Sequence, residues 1–227
     1  MARGPKSLLI VGDGEFAEIA YEYFSHDSDY EVVGFAVEAA FLNRRSLYDL
    51  PLLSLEEASE RFPPASHSAF VAVTYTQLNR VRTRLFRTVK GMGYTPASYV
   101  SSRAFVWRNA TIGENCFIFE NNVVQHHVQI GDNVILWSGN HVGHRSVIGD
   151  NCFLSSHVVV SGYCEVGDNS FLGVNSTLAD HVKVGRDCFI GAGAVIARDT
   201  EAGKVYKGPR EAEPAAVGSL RFFRVKE

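Results

Sequence analysis

Two histidines stand three residues apart in the stretch "GNHVGHRSVIG", residues 139–149, and Arg145 follows the second of them. His141 and His144 in this spacing suit two kinds of chemistry. An HxxH pair can hold a metal such as zinc. A single neutral imidazole can act as a general base. The choice depends on which residues the fold stacks above and below them, so the elements that carry the pair come first.

Every sixth residue from Val100 to Ile196 is aliphatic, without a break. The position four later is nearly always small, as at Ala104, Cys116, Ser146, Cys152, Cys164, Ser170, Ser176 and Cys188. Glycine commonly follows the aliphatic residue, as at Gly113, Gly131, Gly149, Gly167 and Gly185. No proline interrupts the chain from Ala97 to Gly208. A hexapeptide period of this kind specifies a parallel β-helix. Each hexad supplies one short strand and one corner, three hexads make a coil, and coils stack at roughly 4.8 Å. The aliphatic and small positions point inward, and glycine, Asn and Asp take the corners. All four cysteines fall on the small inward position, which makes them core residues of a reduced protein.

The first hundred residues have a different pattern. "SLLIVGDGEFAEIAYEYF" is strand, glycine turn and helix. "YEVVGFAVE" is a second strand, and "LPLLSLEEASERF" a short strand and helix. "SAFVAV" is a buried strand, and "QLNRVRTRLFRTVKGMG" a helix closed by glycine. Alternating strands and helices imply a small parallel α/β sheet. Gly12-Asp13-Gly14 with Ala17 approaches GxGxxA, which aims backbone N–H groups at an anion. Glu38 ends the second strand, where an acid meets a ribose hydroxyl, and Thr74 and Tyr75 follow the strand at the ligand-collecting edge. The segment is too short for a two-halved dinucleotide fold, so a mononucleotide fits better. The expected organisation is a nucleotide-binding α/β domain over 1–97, a β-helix over 98–202 and a tail over 203–227.

The net charge is −3 and the hydrophobic share 46%. No basic stripe suits nucleic acid, and no apolar run approaches the roughly 18 residues of a membrane span. "MARGPKSLLIVGDG" lacks a cleavage-site pattern, so a cytoplasmic protein is expected.

The eighteen-residue coil gives a geometric test. The column through His144 contains Arg108, His126, His144, Gly162, Asp180 and Arg198, each two after an aliphatic residue at a corner. His141 precedes the inward Val142 and faces out from a flat sheet. The two histidines therefore occupy different surfaces. His126 below His144, with Arg145 beside it, disfavours a double imidazolium, so at least one ring stays neutral. Gly162 above leaves a gap with an approachable amide, a place for a carbonyl and its oxyanion.

These motifs resemble the left-handed hexapeptide β-helix of bacterial acyltransferases. Residues 7–208 resemble the group with a truncated Rossmann-like N-terminal domain, which includes NDP-4-amino-sugar N-acetyltransferases and sialic-acid O-acetyltransferases. The resemblance implies a nucleotide sugar in the first domain, a homotrimer, and acyl-CoA between neighbouring β-helices. It implies His144 as the base and Gly162 as the oxyanion amide. It implies pantetheine contacts at "GVNS" around Val174 and "IGAGA" around Ala192. Lys204, Lys207 and Arg210 then follow the last hexad, within reach of CoA phosphates. The sequence departs from the group at Arg145, often an acid that orients the base, at Trp137, elsewhere Asn, and at Glu15-Phe16, where some members have His. The activity implied is acetyl transfer from acetyl-CoA to the amine of a nucleotide-linked amino-deoxy-sugar, with no metal. Acetylation of a sugar hydroxyl is the alternative. A γ-type zinc carbonic anhydrase, drawing on His126, His141, His144, His157 and His181, is a distant third. His157 and Asn175 are candidate groove residues, and Trp107 and Trp137 are expected at trimer contacts.

Overall fold

A computed structural model describes residues 6–209 together with 216, 217 and 221. The first domain contains β1 (Lys6–Val11), α1 (Glu15–His26), β2 (Tyr30–Val37), β3 (Ser46–Leu47), β4 (Leu50–Ser54), α2 (Leu55–Arg61), β5 (Ser68–Val71), α3 (Arg80–Gly91) and β6 (Thr95–Pro96). The sheet order is β3-β4-β2-β1-β5-β6. All pairs are parallel except β3 with β4. The central strand β1 buries Leu8, Leu9 and Ile10 completely. A strand covered on both faces needs apolar residues without alternation, which is why "LLIV" shows no period of two. Ser54 and Glu57 close a capping box on α2: the Glu57 amide donates to Ser54 Oγ and the Ser54 amide to Glu57 Oε2.

One boundary differs from the sequence expectation. Helix α3 begins at Arg80, not Gln77, because Gln77, Leu78 and Asn79 adopt φ of 52°, 48° and 66°. A tertiary contact underlies this turn. The buried Asn79 side chain donates to the backbone oxygens of Asn169 (3.1 Å) and Ser170 (3.4 Å) in the β-helix.

The second domain is a β-helix of three parallel sheets. The first runs from Tyr99–Val100 to Val205–Tyr206, the second from Phe105–Val106 to Val195–Ile196, and the third from Thr111–Ile112 to Lys183–Val184. Paired residues are eighteen apart, as in Phe117 with Ile135, His141 with Val159 and Val147 with Glu165. The last rung is shorter, pairing Phe189 with Val205. The stack therefore continues to Tyr206, beyond the expected end at 202. Inside it lie the aliphatic column and all four cysteines, unpaired and buried.

The corners are built differently from the expectation. Left-handed backbone recurs every six residues from Asn115 to Gly193, three after each aliphatic residue. Asparagine, which tolerates this conformation, fills many of these positions. The glycines directly after the aliphatic residues have no left-handed φ. They are required by close approach: a Cβ on Gly149 would stand 2.9 Å from the Asp168 amide nitrogen.

The two domains share a core. Tyr99, Phe117, Ile135 and Phe153 project from the first β-helix sheet and pack with Phe16, Phe24 and Phe70. Among the described residues, no helix is long and apolar enough to cross a membrane.

Candidate active site

The β-helix separates the two histidines as the register requires. His141 lies on the second sheet between Val123 and Val159. His144 lies at the following corner, half-buried. The His126 ring stacks beneath it, with centroids 5.5 Å apart and an 11° tilt. Burial, and then the charges of His144, His127 and Arg145, push the His126 pKa below the ordinary imidazole value.

What orients His144 was not legible from its column. Gln125 Oε1 accepts the His144 backbone N–H at 2.8 Å and lies 3.3 Å from Nδ1. A neutral ring that donates from Nδ1 to this acceptor keeps its Nε2 lone pair for a substrate. Gln125 is nineteen residues before His144. A search of exact eighteen-residue partners skips this diagonal neighbour. Arg145 occupies a left-handed corner, φ 57°, and its amide donates to the His126 carbonyl. Its position follows the corner geometry, and Gln125 takes the acceptor role that Arg145 lacks.

Gly162 roofs the imidazole. A Cβ there would stand 2.6 Å from His144 Cε1 and 2.8 Å from Nε2. Substituting Gly162→Ala therefore displaces the ring. Turnover should fall about 10²-fold, the cost of a misplacement near 1 Å, with the thermal midpoint nearly unchanged. Steady-state kinetics beside a melting curve check this; undiminished kcat would show that the imidazole position is unimportant. The Gly162 amide itself requires a correction. It was expected to be an open oxyanion donor, but it donates to Asp180 Oδ1 at 2.8 Å. Tyr163 forms a side wall, edge-on to His144 at 5.2 Å and stacked on His181 at 4.9 Å.

A cavity of about 690 Å³ lies elsewhere, between the first domain and the first β-helix sheet. It gathers the six residues expected to hold the nucleotide sugar: Gly12, Asp13, Gly14, Glu38, Thr74 and Tyr75. Val174, expected against pantetheine, also lines it. Glu38 receives both Arg84 guanidinium nitrogens, at 2.6 and 2.8 Å, which holds its carboxyl below the usual range. The Asp13 carboxylate faces Arg44 at 3.6 Å. Tyr75 sits edge-on to Phe153 and Phe171, both at 5.1 Å.

Trp137 departs from its expected place at a trimer contact. It lines the cavity and packs on Phe119 and Phe16. Two buried side chains fix its backbone, because Asn122 Nδ2 and Asn140 Nδ2 both donate to its carbonyl, at 2.9 and 2.6 Å. Their inward position gave no outward signal in the sequence. Trp107 is exposed beside Phe105.

The remaining expected residues are not gathered at the cavity. His144 and Gly162 do not line the cavity. Ala192 and Lys207 are exposed near the end of the stack, and Lys204 lies 3.8 Å from Glu201. Arg210 lies outside the described residues. The His157 ring covers Gly139, and Asn175 takes a left-handed corner. Among the described residues, no group of three or more His, Cys, Asp or Glu is arranged to hold a metal.

Comparison with known proteins agrees with this architecture. The family model described as bacterial transferase hexapeptide (six repeats) matches residues 109–144 and again 163–198. No curated protein sequence matches the chain. Among solved structures, a variant of perosamine N-acetyltransferase from Caulobacter crescentus, in complex with CoA and GDP-perosamine, is 25% identical with a TM-score of 0.80, covering 89% of this chain and 93% of that one. The acetyltransferase domain of PglB from Neisseria gonorrhoeae is 22% identical with a TM-score of 0.79, covering 89% and 97%. WeeI from Acinetobacter baumannii is 19% identical with a TM-score of 0.73, covering 87% and 94%. The last two likenesses establish the fold.

Proposed function

We propose that this chain, whose β-helix matches the bacterial transferase hexapeptide model over residues 109–144 and 163–198, is an acyltransferase that carries acetyl from acetyl-CoA to the amine of a nucleotide-linked amino-deoxy-sugar. The observation that carries this reading is the His144 corner, where Gln125 Oε1 lies 3.3 Å from Nδ1 and the ring sits beneath the side-chain-free Gly162. The perosamine enzyme, bound to CoA and an amino-sugar nucleotide, supports the substrate class. The interdomain cavity holds the nucleotide sugar, with the Gly12–Gly14 turn toward its phosphates.

The amine nitrogen attacks the thioester carbon, and His144 Nε2 accepts its proton. The C–S bond then breaks, and the proton passes to the departing sulfur. Much of the rate comes from holding the two substrates in line. The cavity faces the first β-helix sheet, whereas His144 follows the second. A homotrimer reconciles this, with the cavity of one copy facing the His144 corner of the next and acyl-CoA between them, along Val174 and Ala192 toward Lys204 and Lys207. The cytoplasm supplies both substrates, and the product enters surface glycan such as lipopolysaccharide O-antigen.

The test incubates the protein with acetyl-CoA and UDP-, dTDP- or GDP-linked amino-sugars, following free thiol and product mass. One N-acetylated nucleotide sugar is expected. Acetylation of hydroxyl sugars alone would move the assignment to O-acetyl transfer, and no product from either class would remove it.

A further inference from the structure

We propose that Asp180 receives the substrate's ammonium group and, until the amine arrives, masks the Gly162 amide. This rests on the acyl-transfer reading above and adds a residue to it. Asp180 is exposed, and its carboxylate makes no ion pair among the described residues. Its contact within the corner is the bond from the Gly162 N–H, at 2.8 Å.

The same kind of bond recurs at another corner. There, Asp132, Asp150 and Asp168 each accept the amide of the residue eighteen earlier, at 2.8 to 2.9 Å. Those bonds close a corner made of backbone and carboxylates. The Asp180 corner differs in what lies under it. The next coil down offers Gly162, and the one below that offers His144, whose ring reaches up to within 2.6 Å of where a Gly162 Cβ would be. A base and a carboxylate thus both lie against Gly162, the ring beneath it and the carboxylate on its amide N–H.

Chemistry at this corner makes incompatible demands on the amide. An amino-sugar amine is largely protonated near neutral pH, like other alkyl amines. A cation approaching this corner is drawn to Asp180, the one acid in its column. A thioester oxygen gaining negative charge needs the Gly162 N–H and is repelled by a carboxylate already on it. Moving Asp180 from the amide to the ammonium meets both demands. The ammonium loses one proton to bulk solvent before attack and a second to His144 during it. R–NH₃⁺ and acetyl-S-CoA give R–NH–acetyl, HS-CoA and one H⁺. Acetyl-CoA without an amine then faces a masked donor, which suppresses its idle hydrolysis.

Two variants separate the roles. Asp180→Asn keeps an acceptor of the same shape for the Gly162 amide but loses the charge. Asp180→Ala loses both. With the amino-sugar nucleotide that the wild type acetylates, both variants should raise KM about tenfold or more. By calorimetry, affinity for the matching hydroxy-sugar nucleotide should stay within twofold. In the absence of any acceptor, Asp180→Ala should hydrolyse acetyl-CoA several times faster than the wild type, whereas Asp180→Asn should not. Wild-type KM for the amine in both variants overturns the proposal, as does an equal loss of affinity for amine and hydroxyl nucleotides, which would mark a structural corner bond. Failure of the wild type to acetylate any amine removes the acyl-transfer reading itself. Loss of activity in a His144 variant with unaltered Asp180 variants removes only the proposal.

Discussion

Replacing His144 by alanine should lower kcat by about 10²–10⁴-fold, the usual contribution of a positioned general base, while KM for the nucleotide sugar and for acetyl-CoA changes little. The split follows from where the side chain sits. His144 is absent from the cavity that would hold the nucleotide, so its removal spares ground-state binding of that part of the substrate. Its ring lies against His126 and Tyr163 at the surface of the coil, outside the aliphatic column. The thermal midpoint should accordingly shift little. Initial rates over a range of both substrates give the measurement. A variant that retains most of its kcat would sink the assignment of His144 as base. A variant with normal kcat and a large increase in KM would make it a binding residue instead.

The second large effect concerns stability. Arg82 is fully buried in the junction between the domains. Its guanidinium donates to the backbone oxygens of Thr74 (2.6 Å), Asn133 (3.1 Å), Asn151 (3.1 Å) and Cys152 (3.1 Å), and to Asn133 Oδ1 and Asn79 Oδ1. No carboxylate is among these acceptors. Burial pushes its pKa down to about 10, so the group stays charged at neutral pH and is held by neutral dipoles. Arg82→Met fits the length of the stem but strands several buried oxygens. At roughly 1–3 kcal/mol for each unsatisfied buried group, and with some relief from no longer burying a charge, the net loss should be about 3–5 kcal/mol. For a chain of this size that corresponds to a fall of roughly 10 °C in the apparent thermal midpoint. Thr74, whose carbonyl Arg82 holds, lines the cavity beside Tyr75. Affinity for the nucleotide sugar should therefore weaken as well. Calorimetric melting checks the first effect. An unchanged midpoint would mean that water satisfies these oxygens and that the junction does not depend on Arg82.

Arg82 also shows where sequence reasoning stops. It lies in "NRVRTRLFR", whose other arginines face outward, Arg80 paired with Asp187 and Arg84 with Glu38. Helical spacing puts Arg82 on the apolar face with Leu85, Phe86 and Val89, but says nothing of what would hold its charge there. Its acceptors come from the loop after β5 and from two coils of the β-helix, 51 and 69 residues away. The same holds for Gln125, which looks like any corner polar residue until the His144 amide is found upon it. Glu38 was placed at the cavity by its position after β2, but its capture by Arg84 from α3 was not legible. Trp137 was legible as an outward residue, yet which neighbour it faced depended on how the first domain docks.

The sequence by itself determined the β-helix, its register and the isolation of His144 from His141. A period of six repeated over many coils leaves one register that buries every aliphatic residue, so residues eighteen apart must stack. It also determined that Gly162 stacks directly above His144, but in the structure the imidazole fills the room that a side chain would have taken. The tertiary structure alone decided how donors and acceptors pair across that frame. Corner side chains choose among several backbone groups within reach, and the choice between Gly162 and a substrate for Asp180, or between Arg145 and Gln125 as the neighbour of His144, turns on ångström-scale geometry. Hydrogen bonds depend on direction and distance, whereas burial depends only on which face a residue is on. Periodicity encodes the face, and the fold has to supply the direction.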